Sequence, residues 1–369
     1  MNASIQVEDG DTLKALQGFL QMLLEIGLVE ALLVPLRTPG GTISPALVTD
    51  PARLSAADPL APVLPVNGAA LAGRLSFKMP REKIGVVLRA CELRALVELT
   101  KMQQACLEDL TLIALDCAGT YSVPVYGKLG TVNQREGVWR ELYRAAETNP
   151  NTPDPALRLA CKICDQPLYT GAAISIELIG SHLTQEIRLS LPDELGDRLG
   201  LEACESNGRA QLIENLIASR TAQRETEFAG LRARLEGEER LSGVFAACIR
   251  CHNCMNVCPI CYCKTCVFKS EVFDHQPMQL LHWAKQKGAY RLPSDSMLFH
   301  MTRLNHMALS CVGCGMCTEA CPAELPVGMV FRAIGQSLQQ TFEYAPGRNA
   351  EEPLPLITFK ADEWNEVGE

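Results

Sequence analysis

The sequence lacks any long apolar run and any excess of positive charge. No apolar stretch approaches the roughly 20 residues that a helix needs to cross a bilayer. The first residues, MNASIQVEDGD, are acidic and lack the basic and apolar regions of a secretory signal. The net charge of −9 argues against nucleic-acid binding, because proteins that bind DNA or RNA usually carry a basic face. We therefore expect a cytoplasmic protein that binds neither nucleic acid nor a membrane.

Two common catalytic signatures are missing as well. The chain has no G-x-G-x-x-G motif of the dinucleotide-binding folds, and no residues that resemble a molybdopterin or nickel–iron site. Its apolar fraction of 47% and charged fraction of 21% are ordinary for a globular protein. At 369 residues it is long enough for two domains, each with its own core.

Cysteine is what the sequence has in excess. The chain contains 17 cysteines, and seven of them fall within residues 248–266. The cytosol keeps thiols reduced, and a chain of this length does not need a disulfide scaffold. The cysteines are therefore predicted to bind metal.

One cysteine motif occurs twice. The pattern C-x2-C-x2-C-x3-C-P spans residues 248–259 and again residues 311–322. It is the signature of bacterial two-cluster ferredoxins, in which the fourth cysteine of each copy binds the other copy's cluster. Structural zinc, the main alternative, usually takes two separated cysteine pairs. The predicted ligands are Cys248, Cys251, Cys254 and Cys321 for one 4Fe-4S cluster, and Cys258, Cys311, Cys314 and Cys317 for a second.

The two copies are separated by residues 259–310, which is more than a compact β-hairpin ferredoxin needs. Residues 294–310 predict a helix with Met297, Leu298, Met301, Leu304 and Ala308 on its apolar side, and residues 326–342 predict another. The region resembles the helical ferredoxin type of heterodisulfide reductase and succinate dehydrogenase subunits. Cys261, Cys263 and Cys266 are interpreted as spare thiols near a cluster, with further ligands as the alternative.

The first half of the chain predicts an α/β domain with a largely parallel sheet. Strands are expected up to Val34, over residues 83–90 and over residues 110–116, with a helix from Cys91 and a loop over residues 35–73. Residues 173–192 add strand-like alternation, and residues 208–239 predict a connecting helix pair. Cys91 and Cys117 come just after strands, at the edge of the sheet where ligands usually bind.

Three short motifs resemble the beta-subunit family of deazaflavin-reducing hydrogenases and formate dehydrogenases. They are Cys91-Glu92, Asp116-Cys117 and the run CKIC at residues 161–164, and the segment GFLQMLLEIGLVEALLV resembles the family's opening helix and strand. The likeness covers roughly residues 10–190. It departs from the family at Ala90, where a proline is usual, and at Leu13-Lys14, where a glycine pair is common.

This resemblance implies a third 4Fe-4S cluster beside FAD. The implied cluster ligands are Cys91, Cys117, Cys161 and Cys164, and the implied flavin contacts are Asn67, Arg89, Glu92 and Arg94. Cys106 and Cys204 match no ligand position and are expected to be buried thiols.

The predicted organisation is a flavin and iron–sulfur domain at residues 1–205, a helical linker at 206–240, a two-cluster ferredoxin domain at 241–345 and a tail at 346–369. The predicted function is that of an electron-transfer beta subunit, linking FAD to three clusters. Its expected partner is a catalytic molybdenum or tungsten formate dehydrogenase subunit or a hydrogenase subunit. The alternatives are a flavin-free relay in a heterodisulfide-reductase-like complex and a zinc-stabilised interaction module. The terminal electron donor or acceptor stays open.

Overall fold

A seven-stranded mixed sheet organises the first half of the chain. The computed structural model describes residues 1–78, 82–130, 132–204, 208–237, 240–288 and 295–357. The strand order is β1-β7-β6-β5-β4-β2-β3, and the four central strands β2, β4, β5 and β6 run parallel. The prediction of a largely parallel sheet is therefore confirmed. The strands are β1 Asn2–Gln6, β2 Ala31–Arg37, β3 Ile43–Val48, β4 Ile84–Arg89, β5 Leu110–Leu115, β6 Ile174–Glu177 and β7 Glu186–Ser190.

Helices cover the sheet and form most of the second half. Short 3-10 turns at Glu8–Gly10, Pro51–Ala56, Val267–Lys269, Glu271–Phe273 and Pro355–Ile357 connect these elements. The α-helices are α1 Thr12–Glu25, α2 Ala69–Lys78, α3 Ala90–Lys101, α4 Val123–Lys128, α5 Val132–Thr148, α6 Leu159–Lys162, α7 Asp193–Arg198, α8 Arg209–Glu236, α9 Arg240–Val244, α10 Asn253–Asn256, α11 Pro277–Lys287, α12 Ser296–Met307, α13 Met316–Glu319 and α14 Val327–Thr341.

The central strands are apolar throughout because both faces of the sheet are covered. All six residues of β4 are buried, which is typical of a parallel strand between two helical layers. One face packs against α1 and α5. The other face packs against α2 and α3, and its core continues into Phe245, Phe299 and Phe331 of the cysteine-rich region. The cysteine-rich region therefore shares a hydrophobic core with this face of the sheet.

Two sequence predictions are corrected by the fold. The loop expected over residues 35–73 contains β3, an edge strand whose Pro45 lies opposite Pro35 of β2, and proline is tolerated at a sheet edge. It also contains the Pro51–Ala56 turn and the start of α2. The expected helix pair over residues 208–239 is the single 28-residue helix α8. Asn2–Gln6 forms β1, which pairs with β7.

The start of the predicted tail is fixed to α3. The Arg94 Nε atom donates to the Pro346 carbonyl at 2.9 Å, and the Gly347 amide donates to Glu98 Oε1 at 2.7 Å. Gly347 has φ of 72°, and a Cβ atom there would lie 2.4 Å from the Arg94 backbone, so only glycine fits. The predicted tail continues from this anchor to residue 357, and residues 358–369 lie outside the described part of the chain. No helix in the described ranges is both long and apolar enough to cross a bilayer.

Candidate iron–sulfur centres

The twelve cysteines predicted as ligands line three cavities, each of which contains one predicted set of four, and Cys314 borders two of the cavities. We name them the N-terminal cavity, with about 410 Å³ of empty space, the central cavity, with about 440 Å³, and the outer cavity, with about 320 Å³. The N-terminal cavity contains Cys91, Cys117, Cys161 and Cys164, the central cavity Cys258, Cys311, Cys314 and Cys317, and the outer cavity Cys248, Cys251, Cys254 and Cys321. Each copy of the repeated motif thus contributes its fourth cysteine to the other copy's cavity.

The outer cavity is built by a loop with two left-handed residues. Arg250 has φ of 54° and His252 has φ of 62°. This turn directs the Arg250 amide at Cys248 Sγ, 3.4 Å away. Arg250 is held by an ion pair with Asp295 and by a 2.7 Å hydrogen bond to the Phe273 carbonyl. Cys251 is exposed, so this cavity reaches the protein surface.

The central cavity repeats the same backbone with glycines. Gly313 has φ of 72° and Gly315 has φ of 73°, at the positions that Arg250 and His252 occupy in the first copy. A Cβ atom on Gly315 would lie 2.3 Å from Cβ of Ala160. The second copy therefore packs directly against the segment that carries Cys161.

The N-terminal cavity lies at the carboxyl edge of the sheet, as predicted for ligands of an α/β fold. Cys91 opens α3 directly after β4, and Cys117 follows β5 by two residues. Cys161 lies in the short helix α6, where Thr120 Oγ1 is 3.4 Å and Arg158 Nη2 is 3.5 Å from its sulfur. Arg220 of α8 holds the loop after β5 through a 2.6 Å hydrogen bond to the Ala118 carbonyl.

These sites suit metal–thiolate chemistry. Burial raises the pKa of Cys117 to about 11 and that of Cys314 to about 11, so bare thiols there would stay protonated at neutral pH. A coordinated metal deprotonates a thiol outright. Across the residues that the structure describes, no three His, Cys, Asp or Glu side chains are grouped tightly enough for a single metal ion. A cubane spreads its four thiolates around a larger group, and four cysteines around a cavity fit that geometry.

The three cavities lie in a row. The N-terminal and central cavities share Gly313 and Cys314 in their linings. Arg303 lines the central cavity and donates from Nη1 to Cys254 Sγ of the outer cavity at 3.1 Å. The central cavity is therefore in contact with both of the others.

The sequence alone did not predict that His300 and Arg303 contact ligand cysteines. The Nε2 atom of His300 lies 3.2 Å from Cys248 Sγ, and its ring stacks on Phe245 at 3.8 Å. Burial, aided by the Arg303 charge, lowers the pKa of His300 to about 4, so the ring is neutral at pH 7. The predicted apolar side of α12 is wrong at Leu298 and Met301, which are exposed.

The four predicted flavin contacts do not converge on one cavity. Arg89 and Glu92 line an apolar cavity of about 330 Å³ that is bordered by residues of β2, β3 and β4. This cavity shares Leu64 and Arg89 with the N-terminal cavity. Asn67 lies instead beside Cys314. Arg94 donates to the Val312 and Pro346 carbonyls.

The residues present fit a flavin only in part. The cavity beside Arg89 is lined mainly by apolar side chains, and its two polar side chains make hydrogen bonds within the chain. Arg89 Nη2 donates to the Ala61 carbonyl at 2.6 Å, and Glu92 accepts from the Gly68 and Arg89 amides at 2.7 and 3.0 Å. Both polar side chains of the lining are therefore engaged, at least in part, by hydrogen bonds within the chain.

The remaining cysteines line none of these three cavities. Cys263 is exposed, whereas Cys261 and Cys266 are half-buried; the Cys266 thiol lies 3.6 Å from Met255 Sδ. Cys106 and Cys204 are half-buried rather than buried.

Comparison with known proteins supports both halves of this picture. A family described as "4Fe-4S dicluster domain" matches residues 244–325. The F420-dependent formate dehydrogenase subunit beta of Methanocaldococcus jannaschii is 24% identical over 78% of this chain and 80% of its own length. The F420-dependent formate dehydrogenase 1 subunit beta of Methanococcus maripaludis is 23% identical over 74% of this chain and 75% of its own length. A chain of the F420-reducing NiFe hydrogenase complex from Methanosarcina barkeri aligns with a TM-score of 0.42 and 12% identity, over 62% of this chain and 92% of that one.

Proposed function

We propose that this chain relays electrons through three 4Fe-4S clusters. Its relatives confirm the resemblance to the beta-subunit family with an appended ferredoxin domain. Both curated relatives are named as formate dehydrogenase beta subunits, so an electron-transfer subunit of an oxidoreductase complex is the role they support. Iron–sulfur clusters supply one-electron chemistry. The residues of this chain hold the clusters, separate them from water and set their order.

The observation that carries the proposal is the row of three four-cysteine cavities. Gly313 and Cys314 are shared by the first two cavities, and Arg303 contacts the second and the third. A continuous row of sites is what a relay needs, because electrons then cross only a thin layer of protein at each step. A zinc-stabilised module would have no use for such an arrangement.

Anaerobic metal analysis with Mössbauer spectroscopy tests this directly. We expect about twelve irons per chain, four for each of three cubanes, and little zinc. Stoichiometric zinc with little iron would refute the relay. A measured content of about eight irons per chain would instead mean that the N-terminal site holds no cluster and that the protein has two clusters.

FAD is proposed as a further cofactor on the strength of the family resemblance alone. A flavin accepts a hydride as an electron pair and passes single electrons on, which would connect the relay to a two-electron reactant. The apolar cavity beside Arg89 lies next to the N-terminal cavity and is the place we assign to its ring. Coenzyme F420, which the names of both relatives contain, is the two-electron reactant we favour.

A flavin-free relay is the second candidate. It is favoured by one observation: Arg94, Glu92 and Arg89 each make hydrogen bonds within the chain. The visible spectrum of the purified protein separates the two candidates. Flavin bands above the broad cluster absorption support the first, and cluster absorption alone supports the second.

We place the catalytic partner at the outer cavity. Cys251 is exposed there, and the side chain of Ile249 beside it is 61% exposed. Electrons reach a partner fastest where a cluster ligand lies at the surface. The partner we propose is a cytoplasmic molybdenum or tungsten formate dehydrogenase subunit, with a hydrogenase or heterodisulfide-reductase-like subunit as the other possibilities.

The partner assignment predicts that the isolated chain does not oxidise formate or hydrogen. Co-purification from anaerobic cells, followed by identification of the bound subunits, checks the partner. Robust formate oxidation by the single purified chain would contradict this division of labour. An Ile249→Asp variant with full iron content should lose the partner, whereas Val123→Asp, at an exposed apolar side chain of the sheet domain, should retain it.

A further inference from the structure

Arg303 is a buried cation between two of the cavities. Its side chain projects from α12 and is 4% exposed. Nη1 donates to Cys254 Sγ and Nη2 to the Cys254 carbonyl, both at 3.1 Å. The guanidinium also lies between the rings of Phe299 and Phe331, 5.5 and 5.1 Å from their centroids. These contacts fix it between the outer and central cavities.

Arg303 has no carboxylate to balance its charge. Other arginines of this region are paired with acids: Arg250 with Asp295, and Arg332 with Asp165. Within the described ranges, no Asp or Glu oxygen lies within 4.0 Å of Arg303. Removing an unpaired charge from water costs several kcal/mol, so something else on its two sides must be negative. The thiolate-bound clusters of the two cavities provide that charge.

Arg158 occupies the corresponding place at the other junction. It is also buried, and it lines the N-terminal cavity. Nη2 lies 3.5 Å from Cys161 Sγ, and Nη1 lies 3.6 Å from Sδ of Met316, in the loop of the central cavity. In the described part of the chain it too lacks a carboxylate within 4.0 Å. Other buried arginines without an acid partner, such as Arg94 and Arg220, donate to backbone carbonyls instead.

We propose that Arg303 and Arg158 set the reduction potentials of the relay, each raising the potentials of the two clusters between which it lies. A fixed positive charge and an N–H···S bond both stabilise the reduced cluster, whose negative charge is larger by one. Each hop between clusters moves one electron, oxidising one cluster and reducing its neighbour. No proton moves, because a guanidinium keeps its proton in proteins. The inference rests on the proposed relay.

The experiment compares the two arginines, each serving as the control for the other. Arg303→Gln and Arg158→Gln remove the charge but keep a hydrogen-bond donor. Redox titrations followed by EPR in the full complex give one midpoint potential per cluster. Arg303→Gln should lower the outer and central potentials, and Arg158→Gln should lower the N-terminal and central potentials. Arg303→Lys should shift them less, and Arg144→Gln, on the exposed face of α5, should shift none.

The outcomes separate this inference from the proposed function. A wild-type chain without iron would defeat the proposed function itself. Full iron with unchanged potentials in both glutamine variants would overturn only the tuning role, as would equal shifts at all three clusters.

A second measurement remains readable if a glutamine variant does not fold. In wild type supplied with arginine labelled with nitrogen-15 at the guanidino group, ESEEM of the reduced outer cluster should show a nitrogen coupling. Arg303→Lys should lose it. Its absence from the wild-type spectrum would also overturn the assignment.

Discussion

The two copies of the cysteine motif share one backbone but lie in opposite surroundings. In the first copy, residues 248–258, the left-handed positions are Arg250 and His252, and the loop reaches the surface at Cys251. In the second, residues 311–321, those positions are Gly313 and Gly315, and the loop is packed against Ala160. Side chains are tolerated where the loop has room, and glycine is required where another segment touches it.

The largest effect is expected from the exchanged fourth cysteines. Cys258→Ser should remove the signal of the cluster held by the second copy, and Cys321→Ser that of the first, because each residue lines the opposite cavity. EPR of the reduced variants checks this. If each substitution instead disturbed the cluster of its own copy, the crossed arrangement would be wrong.

Substitutions that remove the N-terminal cluster should have nearly as large an effect on the EPR spectrum, but they should leave the clusters of both motif copies intact. Cys161→Ser combined with Cys164→Ser should remove about four irons and spare the two ferredoxin-type signals. Cys106→Ser is the matched control, since it lines none of the three cavities. Unchanged iron in the double variant would mean that no cluster lies at the edge of the sheet.

Substitutions at Gly315 and at the equivalent position of the first copy should have different effects on the free energy of unfolding. Gly315→Ala combines a left-handed backbone with a contact of 2.3 Å to Ala160, and should cost about 2–5 kcal/mol in the free energy of unfolding. His252→Gly at the equivalent position should change it by about 1 kcal/mol or less, because relief of backbone strain offsets the lost contact with Phe299. Anaerobic denaturant titration measures both. Equal costs would mean that the second loop is not constrained by its neighbour.

The outer and central clusters should also differ, by a smaller effect, in the rate at which a chelator in solution reaches them. An iron chelator should remove the outer cluster first, since Cys251 is exposed and no cysteine of the central cavity is. EPR spectra recorded at intervals after the chelator is added measure the order in which the two cluster signals decay. Faster loss of the central cluster would contradict the surface position of the first copy.

The smallest effect is expected at Cys263. This thiol is exposed and outside the three cavities, so Cys263→Ser should keep the iron content and all three signals. Iron loss in this variant would favour the alternative that residues 261–266 supply further ligands.

Spacing along the chain was enough to predict the sets of cysteines that line the outer and central cavities. A loop of three closely spaced thiolates encloses one face of a cubane, and this local constraint needs no knowledge of the fold. Period-two and continuous apolar runs likewise predicted β4, β5 and α3 close to their true ends, because the buried strands of a parallel sheet are apolar throughout. Cys91 and Cys117 could be placed at one edge of the sheet because each comes just after a strand that was predicted in this way.

Only the tertiary structure decided what surrounds the cysteines. Arg303 and His300 lie outside the apolar side predicted for α12, yet both are buried and contact the sulfur atoms of Cys254 and Cys248. Arg94 follows the flavin motif in sequence, yet its guanidinium faces the Pro346 and Val312 carbonyls, which lie more than 200 residues away along the chain. Contacts between such distant segments leave no trace in local spacing. The order of the three cavities, and the charges between them, exist only once the sheet and the cysteine-rich region pack into one core.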